Sequence, residues 1–434
     1  MRQSALLRRL SLGAVLALTV VASISGCATT APKQSMVVEV PKDAATLAGA
    51  LAAVAPGGMI LISPGVYPEQ LVVNKKDVTV RGLDRNATII DGGGTRPFGV
   101  VGIADGVRIE NLTVRNTTFY GVLVTGLHDG NGPSANTGQD YKKIDPAKSP
   151  PLQRFAIDYV TAYNNGLYGI YAFDAQHGTI TNSYASGSAD SGFYVGQCPD
   201  CDIVLSGNVA ERNAVGFENA NASTSLTIIG NRFSNNRVGL TLISNYREAF
   251  TPQSANVVSG NVISNNFSAD SPAQEDGGFG IGLGISGGQK NEVSNNRIEG
   301  NPRAGVLLAS TEDLPAIGNT FSTNAFGANG IDIANVSTAR APAVNNCVDG
   351  TPSSLPAELF AACTQPQPAI TVAELPGGAA PVGMSFLKVI APIEQPGMPA
   401  PKSTPTRVPA AVNRSAYPAP GLPAANLLLD RTRQ

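Results

Sequence analysis

Gly192-Phe193-Tyr194-Val195, Gly216-Phe217-Glu218-Asn219 and Gly239-Leu240-Thr241-Leu242 are three instances of one pattern, a glycine followed by alternating inward and outward side chains. The pattern also starts at Gly121, Gly169, Gly280, Gly305 and Gly330, giving intervals of 48, 23, 24, 23, 41, 25 and 25 residues. Five intervals lie close to one period, and the other two are that period plus an insertion. A fixed period containing period-2 alternation predicts a β-solenoid, in which each repeat is one coil.

Between the glycine segments a second motif keeps the same beat: Gly207-Asn208 through Asn213, Gly230-Asn231 through Asn236, Gly260-Asn261 through Asn266 and Gly318-Asn319 through Asn324. Each coil therefore holds two or three short strands joined at Asn and Gly, residues that tolerate the left-handed backbone of a sharp corner. Asn above Asn can also ladder its side-chain amides from coil to coil.

One residue after each glycine stand Val122, Ile170, Phe193, Phe217, Leu240, Ile281, Val306 and Ile331, an unbroken apolar column. Three after it come Val124, Ala172, Val195, Asn219, Leu242, Leu283, Leu308 and Ile333. Successive strand side chains point to opposite faces, so both columns are expected in the interior. The column between them, with Leu123, Tyr171, Tyr194, Glu218 and Thr241, is expected to meet solvent. Eight coils at strand spacing rise roughly 40 Å.

The alternation, the Asn-Gly corners and the stretch Ser191-Gly192-Phe193-Tyr194-Val195-Gly196-Gln197 resemble right-handed parallel β-helix repeat proteins of the pectin-lyase-like superfamily. Pro56-Gly57-Gly58-Met59-Ile60 through Pro64-Gly65-Val66-Tyr67 resembles that superfamily's first coil. The resemblance implies an all-β right-handed parallel β-helix. It names no single activity, because the superfamily mixes lyases, hydrolases, epimerases and proteins without a known reaction.

Residues 1–27 read as a lipoprotein signal: Arg8 and Arg9, an apolar run from Leu10 to Ala22, then Ile24-Ser25-Gly26-Cys27, which resembles a bacterial lipobox. Cys27 is then the lipidated residue, and the membrane is met through that anchor alone. An ordinary signal peptide cut nearby fits the same residues. The expected compartment is extracytoplasmic, with residues 28–36 a linker and 37–363 the β-helix domain. Residues 42–54 are rich in helix formers and are expected to cap the solenoid, with Asp43 or Thr46 as N-cap. Residues 364–434, rich in Pro and Ala, are expected to form a disordered or extended tail.

Cys198, Cys201, Cys347 and Cys363 are an even set in an exported chain, which favours disulfides. Proximity pairs Cys198 with Cys201 and Cys347 with Cys363, one of several connectivities. Cys198-Pro199-Asp200-Cys201 also has redox or metal spacing, but it falls at a corner between strands rather than at a helix N-terminus.

With 30 basic against 32 acidic residues and no basic stripe, nucleic acid is not an expected partner. A monomer is expected. Insertions into a solenoid usually build its binding face. The first here runs from Leu127 to about Arg154 and the second from Asn245 to Phe250, both leaving from the same corner. Beneath them lie Tyr171, Phe173 and Tyr194, with Asp174, Gln197 and Asn221 at successive strand ends.

Aromatic faces pack on sugar rings while amides and carboxylates pair with hydroxyls, so these six residues are the candidate polysaccharide-binding set. Candidate catalytic residues are Glu218, Glu248, Arg247 and His128. Glu218 with Glu248 or Asp174 would serve a hydrolase. A base from Tyr194, His128 or His177 with Arg247 as clamp would serve a lyase or epimerase. No cofactor or metal is expected, with calcium reserved for the lyase case.

The polygalacturonase motifs (Asn-x-Asp, Asp-Asp, Gly-His-Gly) and the Asp-Pro-His-Asp of mannuronan epimerases of this fold are absent. A non-catalytic surface scaffold and a copper-maturation accessory of the NosD type are the alternatives. The latter sits poorly with two His and no cluster of Met.

Overall fold

The computed structural model describes residues 34–134, 145–274, 278–357, 375, 378–400 and 403–433, all within one compact unit, Gln34–Gln434. The lipobox with Cys27, Cys363 and the tip of the first insertion lie outside the described residues. Among those described, three parallel sheets of twelve, eleven and ten strands run the length of the chain. Each strand pairs with its counterpart one coil away, as in Tyr171↔Tyr194 and Tyr194↔Glu218. This is the expected all-β right-handed parallel β-helix, with three strands to a full coil.

The glycine strands form the eleven-stranded sheet, and their glycines are required by close approach. A Cβ on Gly192 would lie 2.9 Å from the carbonyl oxygen of Gly216 and 2.7 Å from the Asn213 amide. At Gly216 and Gly239 the same two clashes recur, against the next coil's glycine and against Asn236 or Asn266. Only a residue without a side chain lets adjacent coils reach ladder distance over a corner asparagine.

The same contacts correct the expected register. Gly239 abuts Gly282, and Gly305 abuts Asp332, with Leu240 paired to Leu283 and Val306 to Ile333. The pattern starts assigned to Gly280 and Gly330 are therefore two residues early. A slip of two preserves which face a side chain takes, so the inward columns survive. Corrected, the first column is fully buried from Val122 to Ile333. The second holds Ile285 and Asn335 in place of Leu283 and Ile333, and its polar Asn219 donates to Val195 O at 3.0 Å and accepts from Asn256 Nδ2 at 3.0 Å.

The amide ladders form as expected. Asn208, Asn231, Asn261, Asn296 and Asn324 pass Nδ2–H to the next Oδ1 at 2.9–3.0 Å. Each ladder oxygen also accepts a backbone N–H, as from Asn208 to Asn231 at 2.9 Å, so buried corner groups find partners without water. A second ladder runs through Asn213, Asn236, Asn266, Asn301 and Asn329.

The capping helix is shorter than residues 42–54, spanning Leu47–Ala53; Thr46 Oγ1 caps it by accepting from Gly49 N at 3.0 Å. The first strand, Ser35–Val40, starts inside the expected linker. Cys198 and Cys201 are disulfide-bonded. Cys347 is disulfide-bonded as well.

The tail departs most from expectation. Its described residues are extended between three short 3-10 turns, Phe386–Lys388, Arg414–Ala416 and Leu429–Arg431, and they are held on the outside of the coils. Arg85 donates to Pro396 O at 2.7 Å, and Arg232 to Leu427 O at 2.5 Å. Arg431 inserts toward the coil and donates to Gly207 O, Asn182 O and Ser183 O at 2.7–3.1 Å. A Pro-rich segment lacks donors for a sheet ladder, yet its carbonyls satisfy arginines buried on the solenoid.

Gly239→Ala should lower stability by about 3 kcal/mol, because its Cβ meets backbone that cannot yield. Gly230→Ala has open space and only its positive φ against it, so it should cost about 1–2 kcal/mol. Urea unfolding of both variants checks this order, and a larger loss at Gly230 would contradict it.

Candidate functional site

The middle column of the eleven-stranded sheet is not a solvated face. Tyr194 is 2 % exposed and Tyr171 8 %; Leu123, Val101 and Ala220 join them in a second apolar cluster outside the barrel core. The cause is the residue immediately before each glycine. Tyr120 and Tyr168 occupy that position in adjacent coils and stack at 6.0 Å with planes 5° apart. Tyr168 then covers Tyr171 and Tyr194 at 4.6 and 4.7 Å, and Tyr171 meets Tyr194 edge-on at 4.9 Å. Contacts of this kind add about 0.5–1.5 kcal/mol each beyond area burial. Gly196 makes the packing possible: a Cβ there would fall 2.4 Å from the Tyr194 ring.

Above this cluster lies a cleft of about 550 Å³ with walls of Tyr120, Tyr168, Tyr171, Phe173, Phe98 and Phe119. Leu127, Pro133 and Ser134 of the first insertion and Glu248 of the second border it, so the two insertions do meet over one face.

Glu248 Oε1 accepts the Tyr194 hydroxyl at 2.5 Å, while Oε2 has no partner among the described residues. Burial pushes the Glu248 carboxyl up to about 7, against the opposing pull of the Tyr194 hydrogen bond. A carboxyl with that affinity keeps its proton through mildly acidic pH, is about half protonated near neutrality, and can act as an acid.

Glu218 is half-buried one coil beyond Tyr194 and does not stand alone. Ser191 Oγ lies 3.0 Å from Asp190 Oδ1 and 2.9 Å from Glu218 Oε2. Gln274 Nε2 bridges the same two oxygens. Burial, and then the charge of Asp190, hold Glu218 well above the usual carboxylate range. Burial also raises Asp190, opposed by its hydrogen bonds from Gln274 and Ser191.

The other expected residues do different work. Asp174, Gln197 and Asn221 are at most 1 % exposed and cannot meet a polymer on the surface. All three have positive φ, so the chain turns at each strand end beneath the insertions. Asn221 accepts from Asn245 N at 2.9 Å and donates to Asn245 O at 2.7 Å and Glu248 O at 3.1 Å. Gln197 Oε1 accepts from Ala249 N at 3.1 Å. Both therefore hold the loop that carries Glu248.

His128 is exposed, and its Nδ1 accepts from Gly130 N at 3.1 Å inside a loop turn. His177 lies on the twelve-stranded sheet, paired with Asp202 at 2.9 Å next to the tail. Arg247 is exposed and does not line the cleft. None of the three lines the cleft beside the carboxyl groups, so none is placed there as base or clamp.

Among the described residues no group of three or more His, Cys, Asp or Glu is placed to hold a metal ion, and no helix is long and apolar enough to cross a membrane.

Sequence reasoning missed Tyr120, Tyr168, Asp190 and Gln274. The column before each glycine, Tyr120, Tyr168 and Ser191, was available in the alignment and carries the first two. Gln274 comes from a third insertion, residues 267–280. The six-residue segment 245–250 fills only part of the long gap between Gly239 and Gly282.

The family described as right handed beta helix region matches residues 70–250, 147–326 and 249–355, and the chain belongs to it. Solved structures with a similar course include the mannuronan C-5 epimerase AlgE4 A-module of Azotobacter vinelandii, at 18% identity over 68% of this chain and 91% of that one, with a TM-score of 0.41. An alginate lyase from Paenibacillus sp. shows 16% identity over 68% and 97%, TM-score 0.38. The Dettilon tailspike protein shows 12% over 73% and 68%, TM-score 0.44. These likenesses describe the solenoid alone. No curated protein sequence matches the chain.

Asp174 and Glu248, both near 7 when folded against ordinary values of 3.8 and 4.5, keep protons that the unfolded chain releases. Stability should therefore fall as pH rises from about 4 to about 7 and level off above it. Asp174→Asn should flatten that slope and raise Tm at pH 8 by several degrees, at roughly 2–4 °C per kcal/mol. Thermal melts across pH check this. A wild-type Tm that climbs from pH 4 to 7 would contradict the assignment.

Proposed function

We propose that this chain is an extracytoplasmic protein that binds a neutral polysaccharide in the aromatic cleft and hydrolyses it, with Glu248 as general acid. The observation that carries the proposal is a tyrosine-walled cleft bordered by a Glu248 carboxyl that burial and a Tyr194 hydrogen bond hold in place, with its proton affinity raised to about 7. Tyr120 and Tyr168, partly exposed and one coil apart, offer rings to successive sugars above the buried Tyr171, and Phe173 widens the platform. Strand spacing of about 5 Å lets an extended chain cross one coil after another.

The charge pattern favours a neutral substrate over a polyuronate. Among the described residues lining the cleft, none is Lys, Arg or His. Glu218 and Asp190 stand close by, and an acidic glycan would face them without a cation. Lyase chemistry also needs a competent base, whereas burial first, and then the charge of Glu248, raise the Tyr194 hydroxyl well above its ordinary value.

In the proposed reaction the Glu248 proton passes to the glycosidic oxygen as the carbon–oxygen bond breaks, and water supplies the new oxygen. Gln197 and Asn221 act as positioning residues through the loop they hold. The anchor belongs to the same proposal: Cys27 carries lipid, which places the cleft outside the cytoplasm.

Tyr168→Ala should weaken retention on neutral glycan gels about tenfold or more. Glu248→Gln should keep binding but lower release of reducing ends by about 10²–10⁴-fold. Wild-type activity should decline as pH rises above about 7, where Glu248 loses its proton. Binding without cleavage would identify a scaffold, and an unsaturated, ultraviolet-absorbing product from uronate chains would replace hydrolysis with elimination. For the anchor, Cys27→Ala should move the chain from the membrane to the soluble fraction and abolish labelling by a fatty acid. Unchanged labelling would remove it.

A further inference from the structure

Two carboxyl oxygens, Asp190 Oδ1 and Glu218 Oε2, converge on the same hydroxyl and the same amide nitrogen. Ser191 has one hydroxyl hydrogen and can donate to only one of them. The second contact is a hydrogen bond only if that carboxyl donates to Ser191 Oγ. Two ionised carboxylates so close, with Ser191 fully buried, would also repel strongly in a medium of low effective dielectric. We propose that Asp190 and Glu218 share a single proton and form the base half of the site, with Gln274 the positioning residue that holds them together.

The groups acting on the pair are Tyr168, Tyr194 and Glu248. Tyr168 and Glu248 line the cleft themselves, so the pair stands behind the cleft's acid and its aromatic wall. Opposite behaviour then falls to two carboxyl elements, the general arrangement for hydrolysis. Glu248 gives its proton to the leaving oxygen as the glycosidic bond breaks. The attacking water forms the new bond to carbon and gives its proton to the Tyr168 hydroxyl of the cleft wall. Tyr168 passes its own proton to the ionised member of the pair through its hydrogen bond with Asp190. Exchange with solvent then moves one proton from the pair and one onto Glu248, restoring the starting state.

Gln274 reaches the pair because the C-terminal tail fixes the insertion that carries it. Met384 N donates to Ser271 O at 3.1 Å, and a Cβ on Gly383 would lie 2.4 Å from Ala273 N, so the tail passes directly over that loop. Two residues further, the Phe386 ring packs against Gly166, where a Cβ would sit 3.2 Å from it. Gly166 leads into Leu167 and Tyr168. One short stretch of tail thus braces both the amide that holds the pair and the tyrosine in front of it.

This inference rests on the hydrolytic reading for the role of the pair but not for its protonation, and the test separates the two. Full-length chain labelled with ¹³C at Asp and Glu carboxyls is titrated by NMR, with Asp190→Asn and Glu218→Gln assigning the signals. The pair should lose its protons in two well-separated steps, and Glu218→Gln should leave Asp190 with one. Ionisation of both together in the ordinary carboxylate range would overturn proton sharing.

On a neutral glycan that the wild type cleaves, Glu218→Gln should lower kcat about 10²-fold or more with KM nearly unchanged. Gln274→Ala should narrow the gap between the two steps and shift the pH profile of kcat, again at constant KM. Two-step titration with cleavage intact in Glu218→Gln and Asp190→Asn would overturn the base role. Glycan binding without wild-type cleavage would remove that role together with the hydrolytic reading, while the titration would still decide the shared proton.

Discussion

The close passage of one coil's glycine over the next coil's carbonyl, with an asparagine amide beside it, is the constraint on which this structure depends. At Gly239 the two distances that a side chain would violate are 2.5 and 2.7 Å. The glycine lets the coils approach, and the asparagine supplies donor and acceptor to a corner that no water reaches. Either feature alone would leave buried backbone groups unpaired at every turn. Together they set the coil-to-coil step and so the spacing of everything displayed on the outside.

That uniform step is what makes a site possible on so plain a scaffold. Tyr120 and Tyr168 can stack because they occupy equivalent positions one coil apart, and Tyr171 and Tyr194, equivalent in the middle column, meet edge-on. The strand ends below the insertions become anchors. Asn221 and Gln197 hold the loop bearing Glu248 as firmly as the ladders hold the corners. Burial beneath that loop and the tyrosines then gives the carboxyl groups their high proton affinity, so packing and acid–base chemistry have one origin. The tail contributes the last brace, its carbonyls accepting from Arg85 and Arg232 on the coils.

Much of the fold was legible because a period of two forgives an error of two. Placing the sixth pattern at Gly280 rather than Gly282 moved every partner along the strand yet left inside and outside intact. The face that carries the aromatic cleft was also legible, from two insertions leaving one corner. Exposure was not legible. Whether Tyr194 meets solvent depends on Tyr168, which comes 26 residues earlier in the chain and acts only after folding. Asp174, Gln197 and Asn221 looked like a polar row for sugars because nothing in the sequence says that an insertion folds back over them. Gln274 was hidden in a gap already credited to a different loop. The tail has no apolar period to announce its packing, because a segment with only short 3-10 turns is held by arginine donors that lie elsewhere in the sequence.

The account turns on where a sugar chain sits. The most direct measurement is a crystal structure of the full chain carrying Glu248→Gln with a neutral oligosaccharide bound. The account predicts sugar rings against Tyr120 and Tyr168, between the two insertions, with a glycosidic oxygen facing residue 248. A chain seated on the twelve-stranded sheet, or a site that accepts only uronate oligosaccharides, would contradict it.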